Sequence, residues 1–172
     1  GVIEIKRVAR EPGYRTKMAV ASADPKIDAI GAGVGVRGSR IKAVIDELRG
    51  ERIDIIKWSD SLETLIMNGL KPATIHIDNI FPDVDSHSAV VLVDEDQQSL
   101  AIGKKGQNVR LASKLCGWEI EIKTRAEFEA EASGERPPAS ESGAEGSTDG
   151  DDVSKNDDDD TGADGARSAG QS

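Results

Sequence analysis

Two four-residue runs in the sequence have the composition of an anion grip: Gly35-Val36-Arg37-Gly38 and Gly103-Lys104-Lys105-Gly106. Glycine lets backbone approach a phosphodiester without a Cβ in the way, and the basic residues between the glycines add charge attraction. A helix starting just after each run would offer unpaired N–H groups at its positive end. Polar residues suited to that start follow both runs: Ser39 and Arg40 in one, Gln107 and Asn108 in the other, with Arg110 on the same turn. Gly-x-x-Gly alone carries little, because 18 glycines produce the spacing by chance. Its context carries more, since each copy lies between a short apolar stretch and an amphipathic helical pattern.

Other chemistries are weaker. Gly33-Val34-Gly35-Val36-Arg37-Gly38 satisfies G-x-G-x-x-G, and Asp60 follows roughly 20 residues on, as in a dinucleotide fingerprint. That fingerprint needs a strand running straight into its first glycine. Here the candidate strand ends near Ala21, Pro25 intervenes, and the second run has Ala101 at the corresponding place, so no cofactor is expected. His76 and His87, with Asp78, Asp83 and Asp85 between or beside them, show no familiar ligand spacing, and no metal is expected. His76 and Asp78 alternate with Ile75 and Ile77 as on the outer face of a strand. Cys116 lies on the apolar stripe of its helix and reads as core. No Ser/His/acid or Cys/His constellation emerges, so the expectation is a binding protein and not an enzyme.

The elements that must position the two runs repeat as well. Val2, Ile5 and Ala9 suggest a helix ending at Glu11-Pro12-Gly13, and Arg15 to Ala21 suggests a strand. After the first run Ser39 is placed to cap a helix carrying Ile41, Val44, Ile45 and Leu48 on one face, closed by Gly50. A strand over 52–58 follows. Asp60 and Glu63 resemble a capping box opening a helix with Leu62, Leu65 and Ile66, which Pro72 ends. Strands are expected near 74–78 and 89–93, joined by a polar loop around Pro82, Asp83 and Asp85. Leu100, Ala101 and Ile102 lead into the second run, and a helix with Val109, Ala112 and Cys116 leads to Gly117 and a half-buried strand with Trp118, Ile120 and Ile122. Val34-Gly35-x-x-Gly38 thus answers Ile102-Gly103-x-x-Gly106 at an offset of 68 residues. Two α+β units with almost no linker are predicted, residues 1–59 and 60–125, moving as one body.

Charge separates a third region. The whole chain carries 22 basic and 32 acidic residues, a net charge of −10, yet residues 126–172 hold 3 of the basic and 14 of the acidic ones. The first 125 residues are therefore close to neutral, and the overall acidity does not argue against nucleic acid. Residues 126–172 are rich in Gly, Ser, Ala, Asp and Glu and are expected to be disordered. No apolar run is long enough for a membrane span, so no membrane association is expected. A single cysteine fits a reducing compartment, and a cytoplasmic location is expected. The five aromatics, Tyr14, Trp58, Phe81, Trp118 and Phe128, are too few for a surface that stacks many bases, which does not weigh against a module gripping the backbone.

Helix, Gly-x-x-Gly, helix, strand resembles the KH RNA-binding module, and the order in the second unit is similar to the prokaryotic, type II arrangement. The wording is closer still. Ala9 to Lys17 (AREPGYRTK), Gly35 to Arg40 (GVRGSR), Ile53-Asp54-Ile55 ahead of Trp58-Ser59, and Leu100 to Ala112 (LAIGKKGQNVRLA) together resemble the tandem KH region of the NusA family of bacterial transcription elongation, termination and antitermination factors. The polymerase-binding N-terminal domain and the S1 domain of that family have no counterpart here, and Gly1 fits a chain cut from a longer protein. The resemblance implies a monomer that holds nascent single-stranded RNA beside RNA polymerase. It implies clamps at Gly35, Val36, Arg37 and Gly38 and at Gly103, Lys104, Lys105 and Gly106, with Ser39, Arg40, Gln107, Asn108 and Arg110 as flanking contacts. A ribosome-associated KH protein, or a protein-interaction module without RNA binding, would share the same two units.

Overall fold

The computed structural model describes residues 1–135, and the expected disorder of the acidic segment from 136 onward lies outside them. The first unit is built of β1 (Ile3–Glu11), β2 (Arg15–Ser22), α1 (Ala29–Val34), α2 (Ser39–Glu47) and β3 (Arg52–Lys57). Its sheet runs β1-β2-β3, antiparallel between β1 and β2 and parallel between β2 and β3. A parallel neighbour requires a crossover, and α1 and α2 supply it. The second unit comprises α3 (Leu62–Gly69), β4 (Ile80–Asp83), β5 (Ser88–Val93), α4 (Glu95–Ile102), α5 (Gln107–Cys116) and β6 (Glu119–Thr124). Its sheet has the same plan, β4-β5-β6 with β5 and β6 parallel. The fold is α+β, two three-stranded sheets each packed with helices.

Several expectations are corrected. Ile3 to Glu11 forms a strand, not a helix: Val2 and Ile5 are exposed while Ala9 is buried, so the three apolar residues share no face, and a bulge lies between Ile5 and Arg7. The strand expected over 74–78 lies at 80–83 instead, preceded by a single 3-10 turn over Ile77–Asn79. Pro82 is tolerated there because β4 is an edge strand. The cap of α3 is Ser61, whose hydroxyl accepts from the Thr64 N–H at 3.3 Å, and not Asp60. The apolar stripe of α2 is at best half-buried, with Val44 47% exposed. The segment expected to be tail from Ala126 opens with a helix, α6 (Arg125–Ser133). Thr124 and Glu127 close a capping box there, and Gln98 of α4 donates to Glu127 at 2.8 Å.

The core of the second unit gathers Leu65, Ile66, Leu70, Ile80, Val91, Val93, Ala112 and Cys116 around α3, α5 and the sheet. Burial pushes the Cys116 thiol up to about 12, which fits an inert core residue. A second cluster joins the units: Ala9, Ala19 and Ile56 from the first sheet meet Leu111 and Leu115 of α5, both fully buried, and Trp58 packs against both clusters. Each of the two leucines contributes about 1.5–3 kcal/mol of apolar burial to the joint. Arg7 reinforces it from β1, donating to the carbonyls of Leu115 (3.2 Å) and Cys116 (2.9 Å) at the C-terminal end of α5. Lys17, with no exposed side-chain surface, spans the joint as well. Its ammonium donates to Asp54 at 3.2 Å and to the Lys71 carbonyl at 3.0 Å, while burial lowers its pKa to about 8. The described residues accordingly form one compact unit.

Candidate nucleic-acid interface

Each Gly-x-x-Gly run connects two helices through the same sequence of backbone states. Gly35 has φ 78° and ψ 174°, a region open essentially to glycine alone, and Gly103 has φ 76° and ψ 173°. The third residue of each run turns left-handed, Arg37 at φ 53° and Lys105 at φ 55°, and Gly38 (φ 74°) and Gly106 (φ 71°) follow it. A right-handed residue followed by a left-handed one directs successive N–H groups into a shared concavity, the geometry of an anion nest. Holding a non-glycine residue left-handed costs about 1–2 kcal/mol, so two runs that both do so keep a strained shape.

Helices α2 and α5 begin at Gly38 and Gly106 without any side-chain cap. Ser39 therefore does not cap α2 as its position suggested; it is the first residue of the helix, exposed beside the loop. Within each loop the N–H of the second glycine is turned inward, Gly38 donating to the Gly35 carbonyl at 3.2 Å and Gly106 to the Gly103 carbonyl at 3.1 Å, while Ser39 and Gln107 donate to the carbonyls of Val36 and Lys104. Val36, Arg37, Lys104 and Lys105 are all exposed, Val36 at 82%, so the tips are open to a ligand. Arg40 folds back and donates to the Ala32 carbonyl at 2.7 Å, strapping α1 to α2.

The flanking residues of the second loop divide. Asn108 is fully buried. Its amide donates to the carbonyls of Leu70 (3.0 Å), Leu100 (3.2 Å) and Ala101 (3.0 Å), tying α3, α4 and α5 together. It supports the loop from beneath and offers no side chain to the surface, contrary to its expected role as a flanking contact. Gln107 and Arg110 remain at the surface but are engaged. Glu11, at the end of β1, accepts from Gln107 at 3.1 Å and from the Arg110 guanidinium, while Arg110 also donates to the Lys105 carbonyl at 3.1 Å. The Arg110 and Gln107 hydrogen bonds pull the Glu11 carboxyl down to about 2.

Glu11 and Tyr14 are the residues that the sequence reading missed. They sit on the β1–β2 turn of the first unit, yet they line one groove with Lys104, Lys105, Gln107 and Arg110 of the second. The turn is fixed by Glu51, a buried carboxylate that accepts from Arg10 (2.9, 3.0 and 3.1 Å), Gly13 N–H (2.8 Å) and the Thr16 hydroxyl (2.7 Å). No local spacing could reveal a partnership between residues more than 90 positions apart.

Two families of known proteins match the chain. Residues 1–58 match the family described as NusA-like first KH domain, and residues 62–130 match NusA-like second KH domain. The transcription termination/antitermination protein NusA of Rickettsia prowazekii is 53% identical over 124 residues, covering 72% of this chain and 25% of that protein. Its counterpart in Borreliella burgdorferi is 48% identical over 128 residues, covering 74% and 26%. The chain thus spans about a quarter of the length of these relatives. Among solved structures, the crystal structure of APE1850 superposes with a TM-score of 0.51 at 28% identity, over 70% of this chain and 88% of that one.

Proposed function

Because this chain belongs to the family of NusA-like tandem KH domains, we propose that it holds single-stranded RNA on its two Gly-x-x-Gly loops as part of a transcription factor. Nascent RNA gripped in this way beside RNA polymerase would bias pausing, termination and antitermination. The NusA relatives are named for termination and antitermination, which supports that setting. The observation that carries the RNA-gripping step is the backbone identity of the two loops, each with exposed basic or apolar tips and an uncapped helix behind it. Such a loop contacts a sugar-phosphate chain through backbone N–H groups and charge, leaving the bases to be read by neighbouring side chains.

The shared core between the units supports a second feature of the reading. With Leu111, Leu115 and Trp58 packed at the joint, the two loops keep a fixed separation. One strand long enough to reach both would then be held at two points by a rigid body.

The test replaces Lys104 and Lys105 by Asp. Both glycines stay, both positions are exposed, and Asp accepts the left-handed conformation at 105 better than most residues. Two carboxylates then stand where a phosphate should sit. The Lys104→Asp/Lys105→Asp chain is expected to keep the parent melting temperature and to bind single-stranded RNA at least about tenfold more weakly, or roughly 1.4 kcal/mol. Parent-like affinity in the folded variant removes the second loop from the RNA site.

A further inference from the structure

We infer that Tyr14, a residue of the first KH domain, stacks on a base of the RNA held by the Gly-x-x-Gly loop of the second, so that the second RNA site is built by both domains. The inference rests on the RNA-gripping reading above and adds to it a residue that lies outside both loops. Tyr14 is the only tyrosine in the chain and is 72% exposed, the most open of its aromatic side chains among the described residues. Trp58 and Trp118 are otherwise occupied: Trp58 packs at the joint under the Arg7 guanidinium, 5.3 Å from its ring centroid, and Trp118 stacks on His87 at 4.2 Å.

The setting of Tyr14 matches a nucleotide. Its groove, about 290 Å³, is lined by Glu11 and Tyr14 of the first unit and by Lys104, Lys105, Gln107 and Arg110 of the second, with Gln107 and Arg110 bonded to Glu11. Glu11 is already neutralised by Arg110, so the free positive charge belongs to the two lysines. A phosphate is therefore drawn to the loop, and the flat apolar surface in the same groove is the phenol ring. Every base has a π-face, so the contact would add affinity with little sequence preference.

The ring is also presented by a rigid support. Tyr14 N–H donates to the Glu11 carbonyl at 3.0 Å, its carbonyl accepts from Arg52 N–H at 3.2 Å, and the preceding Gly13 N–H is held by Glu51 at 2.8 Å. Gln107 and Arg110 then moor the turn to the second unit through Glu11. A platform fixed before binding loses less entropy on stacking than a mobile one.

The experiment compares the full chain with its Tyr14→Ala and Tyr14→Phe variants, using fluorescence anisotropy on a short single-stranded RNA of mixed sequence, alongside Lys104→Asp/Lys105→Asp. Melting curves confirm folding, which an exposed side chain should not disturb. Tyr14→Ala is expected to weaken binding about tenfold, within the range for loss of one stacked base. Tyr14→Phe should stay within about twofold, since the ring is kept and only the hydroxyl removed. In the parent, RNA carrying 5-iodouridine should photo-crosslink to Tyr14. If Tyr14→Ala binds like the parent while the lysine variant binds poorly, the stacking role is overturned and the loop reading stands. If the parent itself fails to bind RNA, both fall together.

Discussion

Gly35 and Gly103, 68 residues apart in the chain, hold the same backbone conformation, yet a Cβ would meet different neighbours at the two sites. At Gly35 the nearest atom is Cγ of Arg40, an exposed side chain at 2.8 Å, with the Arg40 backbone nitrogen at 3.0 Å. At Gly103 it is Cβ of Asn108 at 2.7 Å, with the Asn108 nitrogen at 2.8 Å. Asn108 is buried and held by three carbonyls, so it has nowhere to go.

The two glycines should therefore respond unequally to alanine. Both variants incur the strain of a glycine-only conformation, of order 1–3 kcal/mol. Gly103→Ala adds displacement of a pinned core residue and should destabilise by about 3 kcal/mol or more, whereas Gly35→Ala presses on the exposed Arg40 side chain and should cost less, roughly 1–3 kcal/mol, with its bond to the Ala32 carbonyl disturbed. Chemical unfolding of the two variants measures the difference. Equal losses would mean that Asn108 does not brace the second loop.

Acid should unfasten the turn that carries Glu11 and Tyr14. Hydrogen bonds from Arg10 and Thr16 hold the Glu51 carboxyl at about 2, well below its ordinary value near 4.5. A carboxyl whose folded pKa is depressed contributes stability that is fully present above its unfolded pKa and is lost as pH falls through the folded one. Glu11, also held at about 2, acts in the same direction. Melting temperature is thus expected to fall between about pH 4.5 and pH 2, with a shallower fall in Glu51→Gln, which starts from a lower value at neutral pH. Parallel curves for parent and variant would show that Glu51 is not the anchor.

The repeat was legible in the sequence because each loop is marked by local chemistry: paired glycines, basic tips, and a stop at Gly117 where α5 ends left-handed. Thr124 and Glu127 show the spacing of a capping box, yet composition pointed to a tail and hid α6. The strand near 74–78 was misplaced because alternation of Ile75 and Ile77 says nothing about pairing, and the ladder with β5 starts only at Ile80. In β1 the helix-like spacing of Val2, Ile5 and Ala9 marks no common face, since Val2 and Ile5 are exposed and Ala9 is buried. At the candidate site the glycines and lysines could be read locally. The burial of Asn108 and the reach of Glu11 and Tyr14 across to the second loop could not, since they follow from how α5 lies against the first sheet.

A titration with single-stranded RNAs of increasing length tests most directly whether two loops on one rigid body hold one strand. The account predicts a step: affinity rises sharply once the RNA reaches from Gly35-Val36-Arg37-Gly38 to Gly103-Lys104-Lys105-Gly106, because the second contact forms at high effective concentration. The step should vanish in Lys104→Asp/Lys105→Asp and equally in Val36→Asp/Arg37→Asp, leaving the shallow dependence of a single site. A smooth, shallow rise in the parent, unchanged by either double variant, would contradict it.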